Sequence, residues 1–188
     1  MFAVLAEDDS DAEVLYHIIK QYYNDERLTV KTKGYQGGPG LCKDGARDID
    51  VWLNRGIKFF VVCHDADTKN PHEVREEVAR KVLKSANARS CSCVIVPVQE
   101  IEAWLIADEQ AINRAIPSFR FKGHDHPESI SSPKEWLVNE SKKRSSKPLY
   151  APTIFNPKVA KHLRHNVVAR KCPSFKVFTD YLNAVPLA

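Results

Sequence analysis

Phe2-Ala3-Val4-Leu5-Ala6-Glu7-Asp8-Asp9-Ser10-Asp11 and Phe59-Phe60-Val61-Val62-Cys63-His64-Asp65-Ala66-Asp67 share one construction: five apolar residues running straight into a cluster of acids. An apolar run without alternation reads as a strand buried on both faces, the habit of a parallel sheet covered by helices. Cys91–Val98 is another such run, followed by Gln99-Glu100-Ile101-Glu102. Lys58–Cys63 is read as the third strand, and Leu28–Thr32 as a second strand between the two acidic clusters.

The intervening segments carry helical signals. Ser10 or Asp11 can cap a helix whose apolar stripe is Leu15, Ile18, Ile19 and Tyr22. A helix is expected around Asp44–Asn54. Pro71 suits the first position of a helix in which Val74, Val78 and Val82 recur every four residues. Gly34-Tyr35-Gln36-Gly37-Gly38-Pro39-Gly40 reads as a glycine-rich turn. It lacks the Lys-Ser/Thr ending of a phosphate loop, and its glycines would let backbone approach a substrate closely. Strand and helix alternate, which predicts an α/β fold: a mostly parallel sheet with helices on both faces and a helical C-terminal extension. The expected division is a core over residues 1–116 and a loop-rich, helical extension over residues 117–188 packed on it. Ser132-Pro133-Lys134-Glu135 looks like a capped helix start, and short helices are expected near Pro157–His165 and Pro173–Leu182.

Composition narrows the class. With 188 residues, 43% hydrophobic and 28% charged, the chain has material for one core. A net charge of +4 permits a polyanionic partner without demanding one. Five scattered cysteines lack zinc-ribbon spacing and are expected as free thiols. No apolar run approaches the ~20 residues that span a bilayer, and acids interrupt the first apolar stretch at once, so no membrane partner and a cytoplasmic location are expected.

Three strands deliver acid to one rim, the carboxyl edge where open parallel sheets bind ligands. Clustered carboxylates repel unless something positive neutralises them. A hard divalent cation, Mg²⁺ or Mn²⁺, is the simplest candidate. Asp65 and Asp67, two apart at a strand end, are expected to point the same way and face one ion. Glu7 would complete that site or act as general acid/base. Asp11 would bind through water or cap its helix, and Glu100 and Glu102 would hold a second ion. Asp8 and Asp9 read as solvated turn acids, Asp108 as the N-cap of a helix starting at Glu109, and Trp104 as core. Glu102 has a second reading, as a structural residue of the helix beside it. His64 is a candidate for contact with a phosphate. His124-x-His126 and His162-x-x-His165 have metal-ligand spacing, which exposed pairs often share without binding anything. Lys142, Lys143, Arg144 and Lys147 form a basic turn that would suit a nucleic-acid backbone, or simply a solvated hinge.

At Glu7-x-x-x-Asp11 and Asp65-x-Asp67 the chain resembles the Toprim domain of topoisomerases, primases and OLD-type nucleases. Glu100-Ile101-Glu102-Ala103-Trp104-Leu105-Ile106-Ala107-Asp108 is similar to a Glu-x-Glu-Ala-Trp-Leu-x-Ala-Asp signature of small Toprim-like proteins. Cys172-Pro173-Ser174-Phe175 looks like the C-terminal signature of the same family. The chain departs from the Toprim pattern in two places: Asp8 stands where glycine follows the first glutamate, and Asp11 where a second glutamate is usual. The resemblance implies a Mg²⁺-dependent nuclease or phosphoryl hydrolase acting on nucleic acid, with Glu7, Asp65 and Asp67 catalytic. It also implies a role in defence against mobile genetic elements alongside an ATPase encoded nearby.

Two rivals follow from the same residues. A phospho-receiver signalling domain also has an acidic pair after strand one and an aspartate after strand three, but needs a lysine over the acidic pocket, and none follows strand four. The Asp8 departure alternatively favours a catalytically inactive Toprim-fold binding module.

Overall fold

The computed structural model describes residues 1–143 and 145–186. Four strands, β1 (Phe2–Ala6), β2 (Val30–Gly34), β3 (Phe59–Cys63) and β4 (Ser92–Ile95), form a parallel sheet in the order β2-β1-β3-β4. Helices α1 (Asp9–Tyr23), α2 (Gly37–Asn54), α3 (Pro71–Val82) and the short α4 (Ala86–Ser90) connect them. The α/β architecture with a helical C-terminal region therefore follows the apolar-run reading. After β4 come α5 (Glu102–Ile106), α6 (Glu109–Ala115), α7 (Pro133–Lys142), α8 (Pro152–Ala160), α9 (His165–Lys171) and α10 (Pro173–Ala184), with a 3₁₀ turn at Pro127–Ser129. No helix among the described residues is long and apolar enough to cross a membrane.

Strand side chains alternate between two cores, as the pleat requires. Phe2, Val4, Ala6, Val61, Cys63 and Ile95 face one side and pack with α1 and the C-terminal helices. Ala3, Leu5, Phe60, Val62 and Val94 face the other, against α2 and α3. All of β1 is fully buried. Residues beyond 117 are part of the first core: Leu137, Tyr150, Val159, Val168, Phe175, Phe178 and Leu182 all lie in it. Trp104 is completely buried, donates its indole N–H to Ser174 Oγ at 2.7 Å, and sits edge-on to Phe175 with ring centroids 5.0 Å apart. The Glu-x-Glu-Ala-Trp-Leu segment and the Cys-Pro-Ser-Phe segment thus pack on each other. Cys42, Cys63, Cys91, Cys93 and Cys172 are free thiols.

Several boundaries differ from the sequence reading. The second strand begins at Val30 rather than Leu28, because the parallel register pairs Phe2 with Val30 and Ala6 with Gly34. It is an edge strand whose Lys31 is exposed, a charge that discourages pairing with another chain. The fourth strand is shorter than expected, ending at Ile95. The largest difference is α2, which starts at Gly37 and so absorbs most of the glycine-rich turn. Glycine's low helix propensity is overridden by a tertiary contact: a Cβ on Gly38 would lie 2.4 Å from His64 Nε2. The glycines let a helix, not a substrate, come close. The helix near the C-terminus spans Pro152–Ala160 with Pro157 inside it, not Pro157–His165.

Candidate functional site

The order β2-β1-β3-β4 reverses direction between β1 and β3, and ligands of open α/β sheets bind beyond the strand ends at such a point. Glu7 follows β1 and Asp65 follows β3, so both stand there. Asp8 caps α1, accepting the Asp11 N–H at 2.9 Å. Neither Ser10 nor Asp11 is the cap. That frees Asp11, one turn into the helix, to turn inward, where it is 5% exposed.

Asp11, Asp65 and Glu102 form the buried part of the rim, at 5%, 9% and 0% exposure. They come from α1, the loop after β3, and the start of α5. Burial, then the charges of Asp8 and Glu102, push the Asp11 pKa well above the carboxylate range. Burial, then Asp11, Glu102 and Glu7, do the same to Asp65. Glu102 is also raised, chiefly by burial, with partial relief from Lys134 and Asn156. The Asp65 Oδ1 and Glu102 Oε2 atoms are buried without a hydrogen-bond partner. Such orphaned acceptors are rare and costly.

Three groups absent from the sequence expectations support Glu102. Asn156, on α8, donates its amide to Oε1 at 2.9 Å, and Tyr150 donates its hydroxyl to Asn156. Lys134, at the start of α7, places Nζ 3.7 Å from Oε1. Burial disfavours its charge, but Glu102, Glu100, Asp11 and Asp65 outweigh that and raise its pKa. One half-exposed ammonium therefore roofs three buried carboxylates. Its only signal in sequence was its place in a helix start, Ser132-Pro133-Lys134-Glu135.

The other expected ligands have other partners or other exposure. Glu7 has its carboxylate satisfied: Oε1 accepts the Asp65 N–H at 2.8 Å and lies 2.9 Å from His64 Nδ1. Burial opposes ionisation of Glu7, but His64 and the Asp65 and Gly38 N–H groups prevail and hold its pKa below the usual value. The same carboxylate thereby caps the N-terminus of α2, whose Gly37 N–H also binds the Glu7 carbonyl at 3.0 Å. Asp67 does not share Asp65's direction. The strand ends at Cys63, and Asp67 adopts φ +50°, exposed at the surface. Period-two alternation therefore does not extend through this pair. Glu100 accepts the Lys134 N–H at 2.8 Å and so caps α7 from a distant segment. One Glu100 oxygen is therefore engaged by backbone, while its charge still acts on Glu102.

Of the basic turn, Lys142 and Lys143 are exposed; Lys142 reaches Asn139 at 3.2 Å and Lys143 pairs with Glu140. Lys147 is exposed, and Arg144 lies outside the described residues. Asp108 caps α6 and binds Arg164 in a bidentate pair with a shortest contact of 2.6 Å. His124 sits edge-on to Trp136 and His165 packs on Phe175; among the described residues neither histidine pair belongs to a group of three or more side chains that could hold a metal.

Magnesium prefers oxygen donors, and the buried trio is all oxygen with two acceptors lacking partners. The donor chemistry fits. The shell is not closed, however: among the described residues, no group of three or more His, Cys, Asp or Glu side chains is tight enough to hold an ion as it stands.

No curated protein and no solved structure matches the chain. A family model described as a domain of unknown function, DUF4276, matches residues 6–183, from the end of β1 to the last helix. The span includes every acid of the rim, and the chain belongs to the DUF4276 family.

Proposed function

We propose that the protein is a Mg²⁺- or Mn²⁺-dependent phosphoryl hydrolase acting on nucleic acid, a nuclease in its simplest form. One observation carries the reading: Asp11, Asp65 and Glu102, from three elements, are buried together at the sheet's switch point with two oxygens left unpartnered. A fold does not bury three carboxylates under one lysine for stability, since uncompensated buried charge costs several kcal/mol. Asp11, Asp65 and Glu102 would hold the ion, and Glu7 adjoins them through the Asp65 N–H. When bound, the ion would neutralise charge on a phosphoryl oxygen and activate water. Lys134 is placed to meet an anionic group arriving at the roof of the trio. His64 carries its hydrogen on Nδ1, because that atom faces two acceptors, Glu7 Oε1 and the Asp65 carbonyl at 2.7 Å. That double contact fixes the backbone just before Asp65. The Toprim resemblance supports the same chemistry and is the ground for proposing a defence role with a neighbouring ATPase.

The test is hydrolysis of labelled single-stranded DNA, duplex DNA and RNA by the purified chain in Mg²⁺, Mn²⁺ or EDTA. Cleavage should need the metal and vanish in Asp65→Asn. Cleavage that persists in an Asp65→Asn, Glu102→Gln double variant sinks the proposal. A second reading gains from Lys134, the lysine over an acidic pocket that a phospho-receiver requires. Acid-labile phosphate appearing at Asp65 after exposure to acetyl phosphate would favour that reading over hydrolysis.

A further inference from the structure

A cleft of about 490 Å³ is lined by residues of α2 and α3 and by Glu7, and by none of the buried trio. Its size is in the range that takes a small organic ligand. His64 lies in it, and because Nδ1 is committed to Glu7 and the Asp65 carbonyl, Nε2 is the ring nitrogen left for a ligand. Gly38 is the residue that makes room for this ring. Lys43 on α2 and Lys69 before α3 are exposed at the cleft and enter no ion pair among the described residues. Three carboxylates also line it, but two are already neutralised: Glu7 by His64 and backbone N–H groups, Glu77 by Lys81. Asp67 is left against Lys43 and Lys69. Val74 and Val78 supply an apolar wall.

We propose that this cleft is a phosphate-binding subsite for one nucleotide of the substrate strand. Lys43 and Lys69 meet the phosphate beside the His64 ring, and the valine wall lies along the sugar or base. The ligand's identity rests on the phosphoryl-transfer reading; the cationic cleft does not. Cleft and trio join at Glu7, His64 and Asp65, so a strand crossing the rim lays one phosphate in the cleft and a neighbouring one toward Lys134.

The experiment is a titration of the ¹⁵N-labelled full chain with adenosine monophosphate and with adenosine, at low salt in EDTA, followed by amide shifts. The monophosphate should bind and move Gly38, Lys43, His64 and Lys69, and adenosine should bind at least about tenfold more weakly, the loss of one charge-assisted contact. Lys43→Ala, Lys69→Ala should weaken monophosphate binding by about tenfold or more. Both lysines are exposed, so the fold should survive. Equal binding of adenosine, no binding of the monophosphate, shifts centred away from these four residues, or undiminished binding by the double variant would each overturn the subsite. Nucleic-acid hydrolysis is read separately with the same wild-type preparation. Monophosphate binding without hydrolysis removes the nuclease reading and leaves the subsite, whereas hydrolysis with undiminished binding by the lysine variant does the reverse.

Discussion

Neutralising Asp65 should stabilise the protein when no divalent ion is present and weaken its response when one is. Asp65 is 9% exposed, its Oδ1 has no partner, and Asp11, Glu102 and Glu7 raise its pKa after burial. Asp65→Asn keeps the shape, removes a like charge and supplies an amide donor to neighbouring carboxylates. Relieving an unsatisfied buried acceptor is worth about 1–3 kcal/mol, which for a chain of this size is about 2–12 °C in Tm. Wild type in Mg²⁺ at a hundred times its Kd should gain about 2.7 kcal/mol, or roughly 5–11 °C, and the variant much less. The pH dependence has a defined sign. Asp11, Asp65 and Glu102 have folded pKa values above their unfolded ones, so the folded state binds more protons. In EDTA, wild-type stability should therefore fall as pH rises from the ordinary carboxylate range of about 4 toward the raised values. Mg²⁺ should flatten that fall. Scanning calorimetry of both proteins in EDTA and in Mg²⁺, from about pH 4 to about pH 8, reads all of it. A variant several degrees less stable than wild type in EDTA, or a wild type indifferent to Mg²⁺, would refute the reasoning.

Gly38→Ala should cost about 1–3 kcal/mol, because the new Cβ meets His64, and the His64 imidazole resonances should lose their Glu7-bound position. The Glu7–His64 pair should stabilise most between the two unfolded pKa values. Glu7 is lowered and its contribution fades as pH falls through its folded pKa; His64 is raised and its contribution fades as pH rises through its own. Glu7→Gln should remove both arms of that profile in urea melts, and a profile unchanged in shape would count against the pair. Trp104→Ala should destabilise by about 3–5 kcal/mol, and Ser174→Ala by about 1 kcal/mol, both read as urea midpoints, since Trp104 and Ser174 join α5 to α10.

What the sequence made legible was whatever depends on local pattern. Five unbroken apolar residues at Phe2–Ala6 and Phe59–Cys63 have no way to satisfy their burial except inside a covered parallel sheet, and they are there. Pro71 opens α3, and Asp108 caps α6, because each does its work within one turn of its own position. The cap of α1 is misplaced by a local choice among neighbouring residues, Asp8 rather than Ser10 or Asp11; other misreadings involve a distant partner. Gly37–Gly40 looks like a turn until β3 brings His64 against it. Val30, not Leu28, starts the edge strand because Phe2 sets the register.

The same division explains the site. The Asp65-x-Asp67 pair suggests two carboxylates on one face only while the chain remains a strand, yet the Asp67 N–H is drawn to the Gln99 carbonyl at 2.9 Å, and both residues take left-handed backbone. Non-glycine residues there cost of order 1–3 kcal/mol, a strain that tends to collect where function requires it. Here its effect is to send Asp65 inward to Asp11 and Glu102 and Asp67 outward to the cleft. The rim is thereby split into a buried anionic half under Lys134 and an open half where lysines outnumber unpaired acid. A metal-assisted cut of a polyanion needs both: carboxylates shielded from water for the cation, and exposed positive charge for the strand. Lys134 and Asn156 come from a region with no acidic or glycine motif to mark it, and their role follows only from which helix folds over Glu102. Removing Asn156 while keeping Glu102 separates support from ligation. Asn156→Ala should lower Tm in EDTA and leave metal dependence intact, whereas Glu102→Gln should raise or preserve Tm in EDTA and lose the Mg²⁺ response. Identical behaviour of the two variants would mean that Glu102 is a structural partner of Asn156 and Tyr150 rather than a ligand.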